Sequence, residues 1–215
     1  MIVTTNHNQT TISKKVSLNG VGLHTGKNVS ITFQPSDSNT GYCFKRIDLD
    51  NQPIVEANIN YVTNTERGTC LNKNNVIIQT CEHVLASLVG LEIDNVLIEL
   101  DASEPPIMDG SSKYFIEALE KAGIKELKEK RKEFVVKNVI SYKDKESGSE
   151  ITVIPADEYQ VTTMVDFGTK ILGTQNASIS SISEFKDNIS SCRTFSFLHE
   201  IEMLLNKGLI KGGDL

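Results

Sequence analysis

An adjacent glutamate and histidine, Glu82-His83, lie near the start of the segment QTCEHVLASLVGLEIDN, residues 79–95. An imidazole can coordinate a metal ion, and a neighbouring carboxylate can take a proton from metal-bound water. A zinc hydrolase needs this combination, because the ion lowers the water's pKa to about 7 and polarises a carbonyl while the carboxylate acts as base. The plainer alternative is a surface histidine beside an acid that complements a helix dipole. Glu-His is not His-Glu-x-x-His, one histidine is not a metal site, and spacing alone favours the plainer alternative. A zinc site completed from His24, His83 and His199 is a further possibility that nothing in their spacing supports.

The pair needs a helix to present it. At about 100° per residue, Val84, Leu85, Leu88 and Val89 gather on one side of a helix over 81–91. His83 falls opposite, with Ala86, Ser87 and Gly90, on a face of small residues that another surface or a ligand can approach closely. Thr80 is the expected N-cap, with Glu82 in the first turn. NNVIIQT and DNVLIEL flank this helix as short β-branched strands. SSKYFIEALEKAG predicts a second helix over 112–122, stopped by Gly123. Upstream, TTISKKVSLNGVGLHTGKNVSITFQP predicts two strands around a Gly-rich turn, with Ile12, Val16 and Leu18 on one parity and Val29, Ile31 and Phe33 on another. KELKEKRKEF (125–134) is nearly all charge of alternating sign, and predicts a solvated connector.

Beyond that stretch the plan repeats. FVVKNVISYKDKESGSEITVIPADEY again has a strand, a Gly-bearing turn and a strand. ITFQPSD (31–37) and ITVIPAD (151–157) match at Ile, Thr, Pro and Asp in one register, which points to an internal duplication. The division expected is a first domain over 1–124 carrying the Glu-His pair, a connector over 125–133, and a second domain over 134–215. The second unit offers a strand ending at Asp166-Phe167, a helical stretch around ISEFKDNI, the strand SCRTFSF and the amphipathic LHEIEMLLNK. It has no counterpart of the two helices, so the expectation is a chain that stops within its second domain.

Bulk properties narrow the function classes. The chain has 215 residues, 39% hydrophobic and 23% charged, with a formal net charge of −6. Those proportions are ordinary for a globular protein. The net negative charge argues against non-specific nucleic-acid binding, which needs a basic field. Cys43, Cys70, Cys81 and Cys192 are scattered without a CxxC pair, a pattern suited to reduced thiols in a cytoplasmic protein. No signal peptide and no run of membrane-spanning length is visible, so stable membrane insertion is not expected.

Taken together, GVGLHTGK (20–27), RGTCL (67–71), TCEHVLASLVGLEIDN (80–95), EPPIMDGSS (104–112), SCRTFSF and IEMLLNKGLIKGG resemble the zinc-dependent UDP-3-O-acyl-N-acetylglucosamine deacetylases of lipid A synthesis, the LpxC family. The resemblance runs in order from about residue 10 to the last residue. It implies removal of the N-acetyl group from a UDP-linked, 3-O-acylated glucosamine, with release of acetate. It also implies an α/β fold of α+β type: two similar sheet-plus-helix domains in tandem, helices sandwiched between the sheets, and the active site in the cleft. The second domain would be incomplete here.

Residue by residue, the resemblance makes Glu82 the general base and His83 a zinc ligand. Thr194 would help hold the reacting carbonyl and its oxyanion, a task suited to a hydroxyl donor. His24 and Asp109 match positions that line or support the cleft, although an Asp-Gly turn and N-cap for the 112–122 helix explains Asp109 at least as well. Phe195, Phe197, Leu198, Ile201, Leu205 and Ile210 would line a passage for the acyl chain, with Phe167 beside them. Pattern alone would make that stripe ordinary core. Each methylene buried there is worth about 0.8 kcal/mol.

Two departures stand out. The family's other zinc ligands, a His and an Asp of a His-Lys-x-x-x-Asp helix, and its general-acid His would fall beyond residue 215. A catalytic zinc normally takes three protein ligands, so the expectation is one catalytic zinc in the parent, with the isolated chain inactive and nearly metal-free. Second, DFGTKILGTQ (166–175) stands where many members carry DF-x-His-Pro. Acyl-chain length, oligomeric state and a fused acyl-thioester dehydratase are not legible. The competing class is a non-catalytic α/β binding module in which Glu82 and His83 only cap a helix.

Overall fold

The computed structural model describes residues 1–197, 201 and 211–212. Strands run β1 (Ile2–Ile12), β2 (Val16–Val21), β3 (Asn28–Pro35), β4 (Tyr42–Arg46), β5 (Ile54–Glu56), β6 (Val62–Asn64), β7 (Cys70–Lys73) and β8 (Val76–Ile78). Helix α1 (Glu82–Gly90), strand β9 (Val96–Leu100), helix α2 (Lys113–Ala122) and strand β10 (Ile124–Phe134) follow. The second unit holds β11 (Ile140–Lys143), β12 (Glu150–Val153), β13 (Val161–Asp166) and β14 (Thr174–Ile179), then a short 3-10 turn (Ile182–Glu184) and a π-turn (Phe185–Ile189).

The main sheet has strand order β2-β3-β9-β4-β5, antiparallel except for the β4–β9 pair. Alternation turns Val29, Ile31 and Phe33 of β3 and Val96, Ile98 and Leu100 of β9 inward. They meet Val84 and Leu88 of α1 and Phe115 and Leu119 of α2 in one core. Phe33 and Phe115 pack edge to face, centroids 6.3 Å apart, tying sheet to helix. Burying each of these large side chains stabilises the fold by roughly 1.5–3 kcal/mol. Helix α2 is amphipathic and stops at Gly123, whose φ of 72° an L side chain rarely adopts. The mixed α/β architecture expected from the sequence is therefore observed. No helix among the described residues is long and apolar enough to cross a membrane.

The two hairpins, read as a repeat in the sequence, pair in matched register. In β2–β3, Val16, Ser17 and Leu18 face Phe33, Thr32 and Ile31; in β11–β12, Ile140, Ser141 and Tyr142 face Val153, Thr152 and Ile151. Each hairpin carries the same cross-strand hydroxyl bond, Ser17 to Thr32 at 2.7 Å and Ser141 to Thr152 at 2.8 Å. The environments differ: Ile31 and Phe33 are fully buried, whereas Ile140, Tyr142 and Ile151 are mostly exposed.

Several local expectations need correction. Residues 125–134, expected as a solvated connector, are exposed for the most part but are regular structure, most of β10, which pairs antiparallel with β1 from Ile12↔Ile124 to Ile2↔Phe134. Its charges lie on exposed faces while the backbone makes the ladder, so charge patterning gave no warning. Arg131 anchors this ribbon, donating to Asp94, to Glu92 and to the Glu92 carbonyl. The first predicted strand breaks at Ser13–Lys15, which sends Ile12 and Val16 to different sheets. β8 joins a β6-β7-β8 sheet rather than the sheet of β9. SCRTFSF forms no ladder; residues 192–197 are irregular. LHEIEMLLNK lies outside the described residues except at Ile201.

Candidate active site

Glu82 and His83 open helix α1, as expected, but Thr80 does not cap it. The residue at the cap is Cys81, without a side-chain cap bond. Thr80 instead adopts a left-handed φ of 50° and donates its hydroxyl to Glu104 at 2.9 Å. That turn swings the chain from β8 into α1 and sets Glu82 against the RGTC loop. There the Thr69 backbone N–H donates to Glu82 Oε2 at 2.9 Å. Gly68 lies on the Oε1 side, where an added Cβ would come within 3.4 Å of that oxygen. The carboxylate is half-buried, oriented by a loop outside its own helix and placed where the helix dipole favours negative charge. Beside it, burial pushes the Cys81 thiol up to about 12, so no thiolate nucleophile competes at this point.

The rest of the predicted set converges partly on this end of α1. The Ser112 hydroxyl, at the start of α2, donates to the His83 carbonyl at 3.0 Å. Two residues earlier, the Gly110 carbonyl accepts from the Thr194 backbone N–H at 2.8 Å, and an added Cβ on Gly110 would lie 3.4 Å from Thr194 Cγ2. The MDGS turn thus links His83 to Thr194. Asp109 belongs to it as a turn residue, accepting from the Ser111 N–H at 3.1 Å and hydroxyl at 2.7 Å. It is not the N-cap of α2; that position is Ser112. The small-residue face of α1 is indeed approached closely: the Phe185 ring lies against Gly90, and Ser87 is buried, bonded to the Val84 carbonyl. Val89, expected in the core, is 41% exposed.

His24 sits in the GLHTG loop, whose shape a residue overlooked in the sequence controls. Glu104 is 0% exposed. It accepts from the backbone N–H groups of His24 (3.1 and 3.2 Å) and Thr25 (2.9 Å) and from the Thr25 hydroxyl (2.9 Å), besides Thr80. Glu104 lies inside the quoted EPPIMDGSS, but a glutamate ahead of two prolines looks like a turn acid, and burial is invisible in one sequence. From outside, the Lys211 and Gly212 N–H groups both donate to the Leu23 carbonyl at 3.0 Å. Gly26 and Gly212 permit this contact, since an added Cβ at either would strike the opposing segment.

Phe167, Phe195 and Phe197 come together as a three-ring cluster with centroids 5.2, 5.7 and 6.3 Å apart. Phe195 is more than half exposed, so the cluster is a surface rather than core. Leu198, His199, Leu205 and Ile210 lie outside the described residues. Among the described residues no group of three His, Cys, Asp or Glu side chains could hold a metal ion. His83 is a single imidazole where a catalytic zinc normally takes three ligands, so the described residues do not by themselves fit a complete zinc site. A cavity of about 500 Å³ lined by Asn6, His7, Thr10, Glu92 and Arg131 opens elsewhere, over the irregular part of the β1–β10 ribbon.

Comparison with known proteins agrees with this layout. The model of the LpxC family, UDP-3-O-acyl N-acetylglycosamine deacetylase, matches residues 9–215. The chain is 42% identical over 207 residues to a bifunctional LpxC/FabZ enzyme of Bacteroides thetaiotaomicron, covering 96% of this chain and 45% of that protein. It is 43% identical over 208 residues to the bifunctional enzyme of Chlorobaculum tepidum, covering 96% and 44%. To a UDP-3-O-acyl-N-acetylglucosamine deacetylase of Geobacter sp. strain M21 it is 36% identical over 208 residues, covering 96% and 68%. The chain therefore spans less than half the length of the bifunctional relatives and about two thirds of the deacetylase. With the match running almost from end to end and the Glu-His helix, the MDGS turn and Thr194 brought together, the chain belongs to the LpxC deacetylase family.

Proposed function

We propose that the full-length protein hydrolyses the N-acetyl group of a UDP-linked, 3-O-acylated N-acetylglucosamine, giving the free amine and acetate for lipid A synthesis. The observation that carries this reading is the Glu82 carboxylate, held by the Thr69 amide at the start of α1. Glu82 takes the proton of the attacking water as its oxygen adds to the acetyl carbon. The Thr194 hydroxyl donates to the oxyanion that develops. As the tetrahedral adduct breaks its C–N bond, the proton held on Glu82 passes to the leaving nitrogen, releasing the free amine and acetate. The Phe167–Phe195–Phe197 surface takes the acyl chain, with Ile201 following it, and His24 lines the cleft.

Zinc enters this reading through the family alone. His83 is its ligand in this span, the other ligands are not among the described residues, and the isolated chain is proposed to be nearly metal-free and inactive. A cytoplasmic setting suits the four free cysteines.

The test is Glu82→Ala in the full-length protein, assayed by acetate release. The expected loss in kcat is about 10²–10⁴-fold with the denaturation midpoint unchanged. A loss within twofold would favour a binding module in which Glu82 only orders the 67–69 loop.

A further inference from the structure

One buried carboxylate gathers two of the segments that carry site residues. Among the described residues, the bonds to Glu104 come from two places, residues 24–25 and Thr80. The first holds His24; the second immediately precedes Cys81, Glu82 and His83. Burying a polar carboxyl group is costly unless it is hydrogen-bonded, and an apolar side chain would fill the same space without that cost. Thr80 is also unusual in itself. A β-branched residue at φ 50° is strongly disfavoured and persists only where its surroundings hold it. Here the Thr80 hydroxyl on Glu104 supplies that hold, and the left-handed turn is what brings Glu82 to the Thr69 amide. Backbone bonds brace the same junction, Gln79 N–H to the Ser103 carbonyl at 2.8 Å and Ile107 N–H to the Val21 carbonyl at 2.9 Å.

We propose that Glu104 is a positioning residue: through Thr80 it sets the orientation of Glu82, and through His24 and Thr25 it fixes the shape of the GLHTG loop. The assignment rests on the deacetylase reading for its kinetic consequence, but not for its structural one. Glu104→Ala removes every bond at once and puts folding at risk, so the decisive variant is Thr80→Ala, which cuts only the link towards Glu82, with Thr80→Ser restoring the hydroxyl.

Two readouts are taken in the full-length protein. In Thr80→Ala, kcat falls about 10-fold or more with KM within about twofold, as expected for a group acting only through the base, and Thr80→Ser recovers most of it. Independently of turnover, the Thr69 amide exchanges with solvent on the order of 10-fold faster in Thr80→Ala while the β9 amides keep their protection. Unchanged Thr69 exchange, or equal acceleration in β9, overturns the proposal. If the wild-type protein releases no acetate, the deacetylase reading fails, and the exchange comparison still decides the positioning role.

Discussion

Gly90 offers a test in which the sign of the result, not only its size, is fixed by the structure. Alanine is a better helix former than glycine by about 0.8–1.0 kcal/mol, so Gly90→Ala at the last residue of α1 would ordinarily stabilise by up to that amount. Here the added Cβ would lie 2.1 Å from Phe185 Cδ1 and 2.8 Å from Cε1 and Cγ. The Phe185 side chain, or the π-turn that carries it, must therefore shift away from the helix. Overpacking of this kind costs about 1–3 kcal/mol. The net expectation for Gly90→Ala is therefore destabilisation of roughly 0–2 kcal/mol. In a Phe185→Ala background the obstacle is gone, and the same substitution should stabilise by up to about 1 kcal/mol. Urea unfolding of the four proteins of this cycle gives the coupling directly, with a magnitude of about 1–3 kcal/mol. Equal effects of Gly90→Ala in both backgrounds would refute the contact, and with it the seating of the second unit on α1.

Two further expectations follow from the ionisable groups. The Arg46 guanidinium, bonded to Asp48 through Nε at 2.8 Å and Nη2 at 2.7 Å, holds the Asp48 carboxyl below its usual range. A depressed folded value means that this contribution is present above the unfolded pKa of about 3.9 and is lost as pH falls through the folded one. Asp48→Asn should thus lower stability at pH 7 and show a shallower loss below about pH 4 than the wild type, measured by unfolding at a series of pH values. Cys81 is fully buried and its thiol is pushed up to about 12, whereas Cys192 is exposed. At pH 8 a maleimide should label Cys192 in the native protein and reach Cys81 only after denaturant is added, as read by peptide mass.

Much of the candidate site was legible because the chemistry it suggests is local. Glu82 and His83 are neighbours on one helix, and the MDGS and RTF segments are distinctive in themselves. What escaped were features decided by distant partners. Thr80 looked like a cap because threonine before an acidic first turn usually is one, but its hydroxyl found a better acceptor in Glu104, brought close by the chain reversal after β9. The ribbon of β1 and β10 was hidden because its strands pair across the whole first unit, and a run of alternating charges carries no apolar parity to announce a ladder. The parity of Ile12 with Val16 was real as a pattern yet misleading, since three intervening residues carry the chain from one sheet to another. Burial of Glu104 could be seen only once the loops it binds were folded around it.

The matched hairpins have a consequence for how this protein acquires its structure. Because both hairpins pair in the same register around the same serine–threonine bond, with apolar residues on either side of it, each strand has two chemically acceptable mates along one polypeptide. Exchange of partners, within a molecule or between molecules, is the characteristic error of such repeats and grows with concentration. Fidelity falls to the buried valine, isoleucine and phenylalanine of the first copy, Val29, Ile31 and Phe33, which reward one pairing over the other.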